Sequence, residues 1–257
     1  VIRTNGFSTG LNFAMPVVQG FMASIAIAYS LRKSFLYISY VPPLLFSVLV
    51  NARVGIVVFA VSSLVFIMMS LNTVSAKRFA ALLSVVATLV VLFFFIPSLI
   101  ERQSNATYDW MLLGFEEIKL FFSGETTGYF EALKSMFFLP AADVLVFGSG
   151  RDYYWTGNRG ISSDIGYVND LFLGGLFLVF ALYGSFLYFV SWGKVPKHWI
   201  NLPLKLAMMV VILLINIKGF GFRQTAITNL FVLISTFLCF SRFQHFMENR
   251  DISPNFD

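Results

Sequence analysis

The residues best suited to chemistry are gathered in one polar stretch, Gly148 to Gly175, which reads GSGRDYYWTGNRGISSDIGYVNDLFLGG. It carries Arg151 and Arg159 and three aspartates, Asp152, Asp164 and Asp170, around Tyr153, Tyr154 and Trp155. Guanidinium groups grip phosphate in bidentate fashion, and aromatic rings offer an apolar face on which a sugar can stack. A carboxylate within reach of a hydroxyl serves as a general base. The set points to an anionic, sugar-bearing ligand, with Asp164 the first candidate base and Asp170 the second. Each feature also has a plainer reading. The aromatic and cationic residues suit a loop at a bilayer interface, and Ser162, Ser163 and Asp164 are helix N-cap types. Asp170, about two turns into an apolar run, suits an ion pair with Arg159, Lys218 or Arg223.

Two shorter cationic breaks accompany this stretch. Asn51-Ala52-Arg53-Val54-Gly55 interrupts an apolar region so tightly that Arg53 is expected at a membrane surface, either on a lipid phosphate or as a snorkelling anchor. Lys218-Gly219-Phe220-Gly221-Phe222-Arg223 frames glycines with two cations, as a phosphate rim or an anchored hairpin turn would. Gly148 and Gly150 lead to no Gly-Lys-Ser or Gly-Lys-Thr, so nucleotide hydrolysis by a P-loop has no support. The single cysteine, Cys239, lies in an apolar run, which leaves no disulfide framework and no cysteine metal site.

The elements that must position these groups are almost wholly apolar. Of 257 residues 58% are hydrophobic and only 12% charged, with a mean hydropathy of +0.78, whereas soluble domains are about 25% charged. The chain reads as an all-α polytopic membrane helix bundle, because helices satisfy their own backbone in hydrocarbon and the runs lack strand alternation. Seven spans are expected, over residues 12–30, 35–50, 54–71, 79–97, 165–191, 204–217 and 224–240. With the amino terminus outside, nine Lys and Arg, Lys205 among them in a cytoplasmic connection, fall on the inner side and four, Arg3, Arg53, Lys218 and Arg223, on the short outward segments, the positive-inside bias. That scatter of cations at helix ends, rather than a stripe, argues against nucleic acid as the partner of a chain with net charge +5. His198 and His245 both fall on the inner side, which removes a histidine metal site or a Ser-His-Asp system from the outer face.

Residues 1–100 hold no Asp or Glu, while nine of the thirteen acids lie from Glu101 to Asp164. The expected organisation is helices over 1–97, a periplasmic loop over 98–163, further helices over 164–241 and a cytoplasmic tail over 242–257. Within the loop, Trp110–Phe121 and Gly128–Leu139 read as short amphipathic helices. The chain begins with Val and, on this topology, with an outward amino terminus, so earlier helices are expected to precede it.

The order of these features resembles the O-antigen polymerase (Wzy-type) family and its O-antigen ligase relatives. The features are the outer break with Arg53 and Gly55, the long loop ending in Gly148-Ser149-Gly150, and Ser163-Asp164-Ile165-Gly166-Tyr167-Val168-Asn169 opening a helix that reaches Gly174-Gly175. The resemblance covers most of the chain as the carboxy-terminal part of a longer protein. It implies a metal-independent glycosyltransferase of the bacterial inner membrane, without cofactor, acting on the periplasmic face. The implied substrate is undecaprenyl-pyrophosphate-linked oligosaccharide, and a chain-length regulator is an implied partner. Family arginines contact the pyrophosphate, and the matching positions here are Arg53, with Arg3 and Arg151. Family loops often carry Arg near Glu125, where this chain departs from the pattern. The ligases use a histidine in the large loop that this chain lacks, which favours polymerase over ligase. A lipid-linked glycan flippase is the rival from another class. It would place charge along a cavity at mid-membrane depth.

Overall fold

The computed structural model describes residues 14–51, 54–71, 75–76, 79–80, 120, 123, 131, 134–151, 163–191, 199–217 and 227–236, with side chains at all but 49–51. These residues are all-helical apart from turns and short connections, with no strand among them. Two helices have the length and composition to cross a membrane, Ala14–Arg32 and Gly166–Ser191. The expected span over 79–97 and the loop helix Trp110–Phe121 fall almost wholly outside the described residues, as does much of Gly128–Leu139. The chain divides into two compact units, Val1–Phe137 and Phe138–Asp257.

In the first unit, α1 (Ala14–Arg32) is followed by a 3-10 turn (Phe35–Tyr40), α2 (Val41–Asn51) and α3 (Val54–Ser70). Small residues Gly20, Ala23, Ser24, Ala26 and Ala28 make much of α1's buried surface, and small side chains let helices in lipid approach closely. The approach is closest where α1 crosses α3. A Cβ on Gly20 would overlap the Gly55 carbonyl, and one on Gly55 would overlap the Pro16 carbonyl. Ser24 and Ser30 donate to the carbonyls of Phe21 and Ile27 at 2.6 and 2.7 Å, so neither hydroxyl is a lone polar group in an apolar contact. Ser47 donates to Gln19 Oε1 at 3.1 Å and ties α2 to α1. Gly20→Ala is expected to cost about 1–3 kcal/mol through overpacking. Thermal melting of the purified protein checks this, and an unchanged melting temperature would mean that the crossing is looser than described.

The expected span over 35–50 is not one helix. Phe35–Tyr40 is a 3-10 turn, and α2 restarts at Val41 with Pro42 and Pro43 in its first turn, the place where missing N–H groups cost least.

The second unit contains α4 (Ala142–Phe147), α5 (Gly166–Ser191), α6 (Asn201–Ile215) and α7 (Ile227–Thr236). The expected span over 165–191 is present as α5 but is not a single rod. Gly175 sits inside it at φ 64° and ψ −164°, a conformation essentially reserved for glycine. The Tyr167 and Tyr183 rings lie on either side of this break and stack at 5.4 Å between centroids. Sixteen residues of continuous helix would hold their Cα atoms about 24 Å apart, far beyond the reach of two tyrosine side chains. The helix therefore folds back at Gly174 and Gly175 into a hairpin. Its short arm, 166–174, is about 13 Å long and its long arm, 176–191, about 24 Å.

The turn is clasped from outside. Beyond α4, Gly148 adopts φ 75° and ψ 178°, again a glycine conformation, and a Cβ on Gly148 would strike the Gly174 backbone. Fold-back leaves the Phe172 and Leu173 carbonyls without the i+4 donors of a continuous helix. Ser149 N–H and Gly150 N–H donate to them at 2.7 and 3.1 Å, and Ser149 Oγ adds a bond to Phe172 O at 3.0 Å. Phe138 covers the same end, its ring 5.4 Å from that of Phe172.

On the long arm, Tyr183, Phe186 and Val190 form the buried stripe, while Phe177, Phe180 and Tyr188 remain 71%, 73% and 63% exposed. An arm apolar on both its covered and its open face suits lipid surroundings. The expected span over 204–217 begins one turn earlier, at Asn201, because Pro203 is accommodated in the first turn of α6. Lys205, expected in a cytoplasmic connection, is instead buried on α6 and points its Nζ at the Ser191 carbonyl, 3.4 Å away. A cation at that helix end complements its dipole.

Candidate functional site

The hairpin gathers a polar cluster that no single straight helix could assemble. Asp170 on the short arm is 4% exposed, and Tyr183 on the long arm donates its hydroxyl to Asp170 Oδ2 at 3.0 Å. Tyr167 stacks on Tyr183 and donates its own hydroxyl to the Leu213 carbonyl of α6 at 2.7 Å. The Tyr167 N–H reaches the Asn216 carbonyl at 3.3 Å, so α6 holds the start of the short arm by main chain as well. Asn216 is fully buried and returns its side-chain amide to Ile212 O at 3.0 Å.

The start of the short arm is built locally. Ser163 Oγ accepts from Ile165 N–H at 3.2 Å. Asn169 Nδ2 donates back to the carbonyls of Ser163 and Ile165, at 2.7 and 2.9 Å. The segment Ser163-Asp164-Ile165 is thus fastened to the first turn by Ser163 and Asn169. Asp164, which the sequence offers as a cap, is half-exposed, and no hydrogen bond of its carboxylate is found among the described residues.

Tyr183 lies eight residues from Gly175 and eight from Ser191, about 12 Å from either end of the long arm. Tyr183 thus sits halfway along the long arm, while Asp170 on the short arm lies four residues, about 6 Å, from the turn. A carboxylate buried in an apolar hairpin is costly unless partnered, which makes it a functional candidate.

Of the residues singled out from sequence, the structure places Asp170 inside the cluster, Asp164 at its edge and Arg151 exposed at the clasped end of the hairpin, directly after Gly150. Arg3, Arg53, Arg159, Lys218 and Arg223, together with Tyr153, Tyr154 and Trp155, lie outside the described residues. Sequence reasoning missed Tyr183, Tyr167 and Asn216. Asn216 was the one with a readable signal, an amide inside the apolar run that ends at Ile217. Among the described residues, no group of three or more His, Cys, Asp and Glu is placed to hold a metal ion.

Among the described residues, fold and site together define an all-helical protein with two stretches long and apolar enough to cross a membrane, the second of them doubled back around a buried carboxylate-tyrosine cluster. No family model matches the chain, and comparison with curated proteins and with solved structures gives no match.

Proposed function

We propose that this chain is part of a multi-pass protein of the bacterial inner membrane. In this reading it polymerises undecaprenyl-pyrophosphate-linked oligosaccharide on the periplasmic face. The observation that carries the reading is the burial of Asp170 against Tyr183, shortly after a stretch rich in Arg and aromatic residues. The segment that resembles the polymerase family, Ser163 to Asn169, is the one that builds the start of the short arm. In the reaction a hydroxyl of the incoming sugar attacks the anomeric carbon of the growing glycan, and the bond from that carbon to undecaprenyl pyrophosphate breaks. The hydroxyl proton passes to a carboxylate, Asp164 or Asp170. Charge on the departing pyrophosphate is stabilised by Arg53, Arg151, Arg159, Lys218 and Arg223, with Arg3, as fixed electrostatic groups in place of a metal ion. Tyr153, Tyr154 and Trp155 hold the sugars.

The test is reconstitution of the full protein in proteoliposomes with purified lipid-linked repeat units. Chain extension is expected, with a loss of at least about a hundredfold when Arg53 and Arg159 are both changed to Ala. Full-length polymer from that double variant would overturn the pyrophosphate assignment. A second reading, a carrier of lipid-linked glycan, is favoured by one observation, the burial of Asp170 inside the hairpin against Tyr183 on the long arm. It predicts movement of unmodified lipid across the bilayer with no extension in the same experiment.

A further inference from the structure

In the first unit, a cleft of about 290 Å³ opens between α1, the 3-10 turn and the start of α2, lined by Met22, Ile25, Tyr29, Tyr37, Tyr40 and Leu44. Its wall on α1 is one continuous helix face. Met22, Ile25 and Tyr29 follow helical spacing, and Arg32 and Lys33 continue it at three and four residues beyond Tyr29. The helical turn is complete there, since Lys33 N–H donates to the Tyr29 carbonyl at 2.8 Å. Along that face the chemistry passes from aliphatic to aromatic to cationic. The Tyr29 and Tyr37 rings lie 5.3 Å apart, and the Tyr37 and Tyr40 rings 6.5 Å, so the aromatic tier is continuous across the cleft. Tyr40 is 60% exposed and Leu36 beside it 79%, an open aromatic and apolar rim.

The sequence sharpens the preference for an anion. No Asp or Glu occurs anywhere in residues 1–100, so the charged residues of that stretch, Arg32 and Lys33 among them, are all cations. The positive-inside bias puts this end of α1 at the cytoplasmic leaflet, where acidic phospholipids are concentrated. We propose that the cleft holds one acidic phospholipid. An acyl chain lies against Met22, Ile25 and Leu44, the glycerol region against the tyrosine tier, and the phosphate against Arg32 and Lys33. This rests on the membrane part of the proposed function and not on the transferase part, so it stands or falls by binding alone.

The experiment is native mass spectrometry of the full protein in detergent, titrated with phosphatidylglycerol, phosphatidylcholine or sn-glycerol 3-phosphate. One equivalent of phosphatidylglycerol is expected to bind roughly tenfold to thirtyfold more tightly than phosphatidylcholine, each surface cation contributing a factor of about five. Arg32→Gln with Lys33→Gln should bring the two lipids level. Ile25→Trp, at a half-exposed position that a larger ring can occupy without entering the core, should weaken both. The proposal is overturned if the wild-type protein binds both lipids equally, or if the double glutamine variant keeps its preference. It is equally overturned if Ile25→Trp leaves the lipid affinity unchanged, or if glycerol phosphate displaces the lipid at equal concentration.

Discussion

Gly175→Ala is expected to abolish the hairpin of α5, with the apparent melting temperature of the purified protein falling by about 10 °C or more. Two costs combine. An L side chain at φ 64° and ψ −164° is strained by roughly 1–3 kcal/mol. Its Cβ would also overlap the Val146 carbonyl and crowd the Gly148 nitrogen, both backbone atoms that cannot rotate away. About 3 kcal/mol in a domain of this size corresponds to a shift of that order. Gly148→Ala should behave in the same way, since its dihedral is equally restricted and its Cβ would meet the Gly174 backbone. Two further glycines calibrate the result. Gly150 has φ +68° but open space around it, so Gly150→Ala should cost about 1 kcal/mol, from the dihedral alone. Gly184 lies within the long arm with nothing nearby, and Gly184→Ala should be neutral or stabilising by up to about 1 kcal/mol. Equal melting temperatures across the four variants would refute the clasp.

Asp170→Asn should leave the fold intact and remove polymer synthesis. The amide is isosteric, and its carbonyl still accepts the Tyr183 hydroxyl that now bonds Oδ2 at 3.0 Å, so stability should change by no more than about 1 kcal/mol. Loss of a general base lowers turnover by roughly 10²–10⁴-fold. Melting temperature and polymer yield per mole of folded protein, measured together, separate this from a structural role, in which yield follows stability. Tyr183→Phe makes the complementary test. It keeps the carboxylate but deletes the hydroxyl that donates to Oδ2 and leaves the stack on Tyr167 in place. A fall in rate without a comparable fall in melting temperature would mark Tyr183 as a positioning residue. If Asp170→Asn and Asp164→Asn both retain full polymer length and yield, neither carboxylate is the base.

How much of this was legible beforehand differs from helix to helix, for physical reasons. α1 and α3 follow from the length of their apolar runs, and both fall within two residues of the expected limits. Pro42 and Pro43 should have warned that residues 35–50 do not form one helix, because a pair of prolines belongs in a first turn. α4 escaped notice since six residues are too few for a periodic pattern, and the helix expected to reach Leu139 stops at Ser135, for which Pro140, acting on Leu139 alone, gives no account. The hairpin was hidden more thoroughly. Hydropathy adds up the residues of 165–191 whether the chain runs straight or doubles back, and only Gly174-Gly175 marks the turn. The bonds that hold it, from Ser149 and Gly150 to Phe172 and Leu173, are largely main-chain bonds that no side-chain pattern encodes. Asp170 stood out as a charge in an apolar run. Its partner Tyr183 is one of ten tyrosines in a chain with 31 phenylalanines, and nothing in the sequence distinguishes it.

The tether between Tyr167 and α6 bears on how the protein is made. Both of its bonds reach across more than forty residues, to the carbonyls of Leu213 and Asn216. At translation rates of about 5–20 residues per second, several seconds pass between synthesis of the short arm and arrival of the segment that secures it. During that interval the insertion machinery holds a 26-residue apolar stretch with every attribute of a simple stop-transfer sequence. The turn can close earlier, since Ser149 and Gly150, which clasp it, are made before it, whereas the anchoring of Tyr167 waits for α6. Ribosome-bound chains halted before Leu213 should therefore bring Asp170 near Tyr183 while leaving Tyr167 unanchored.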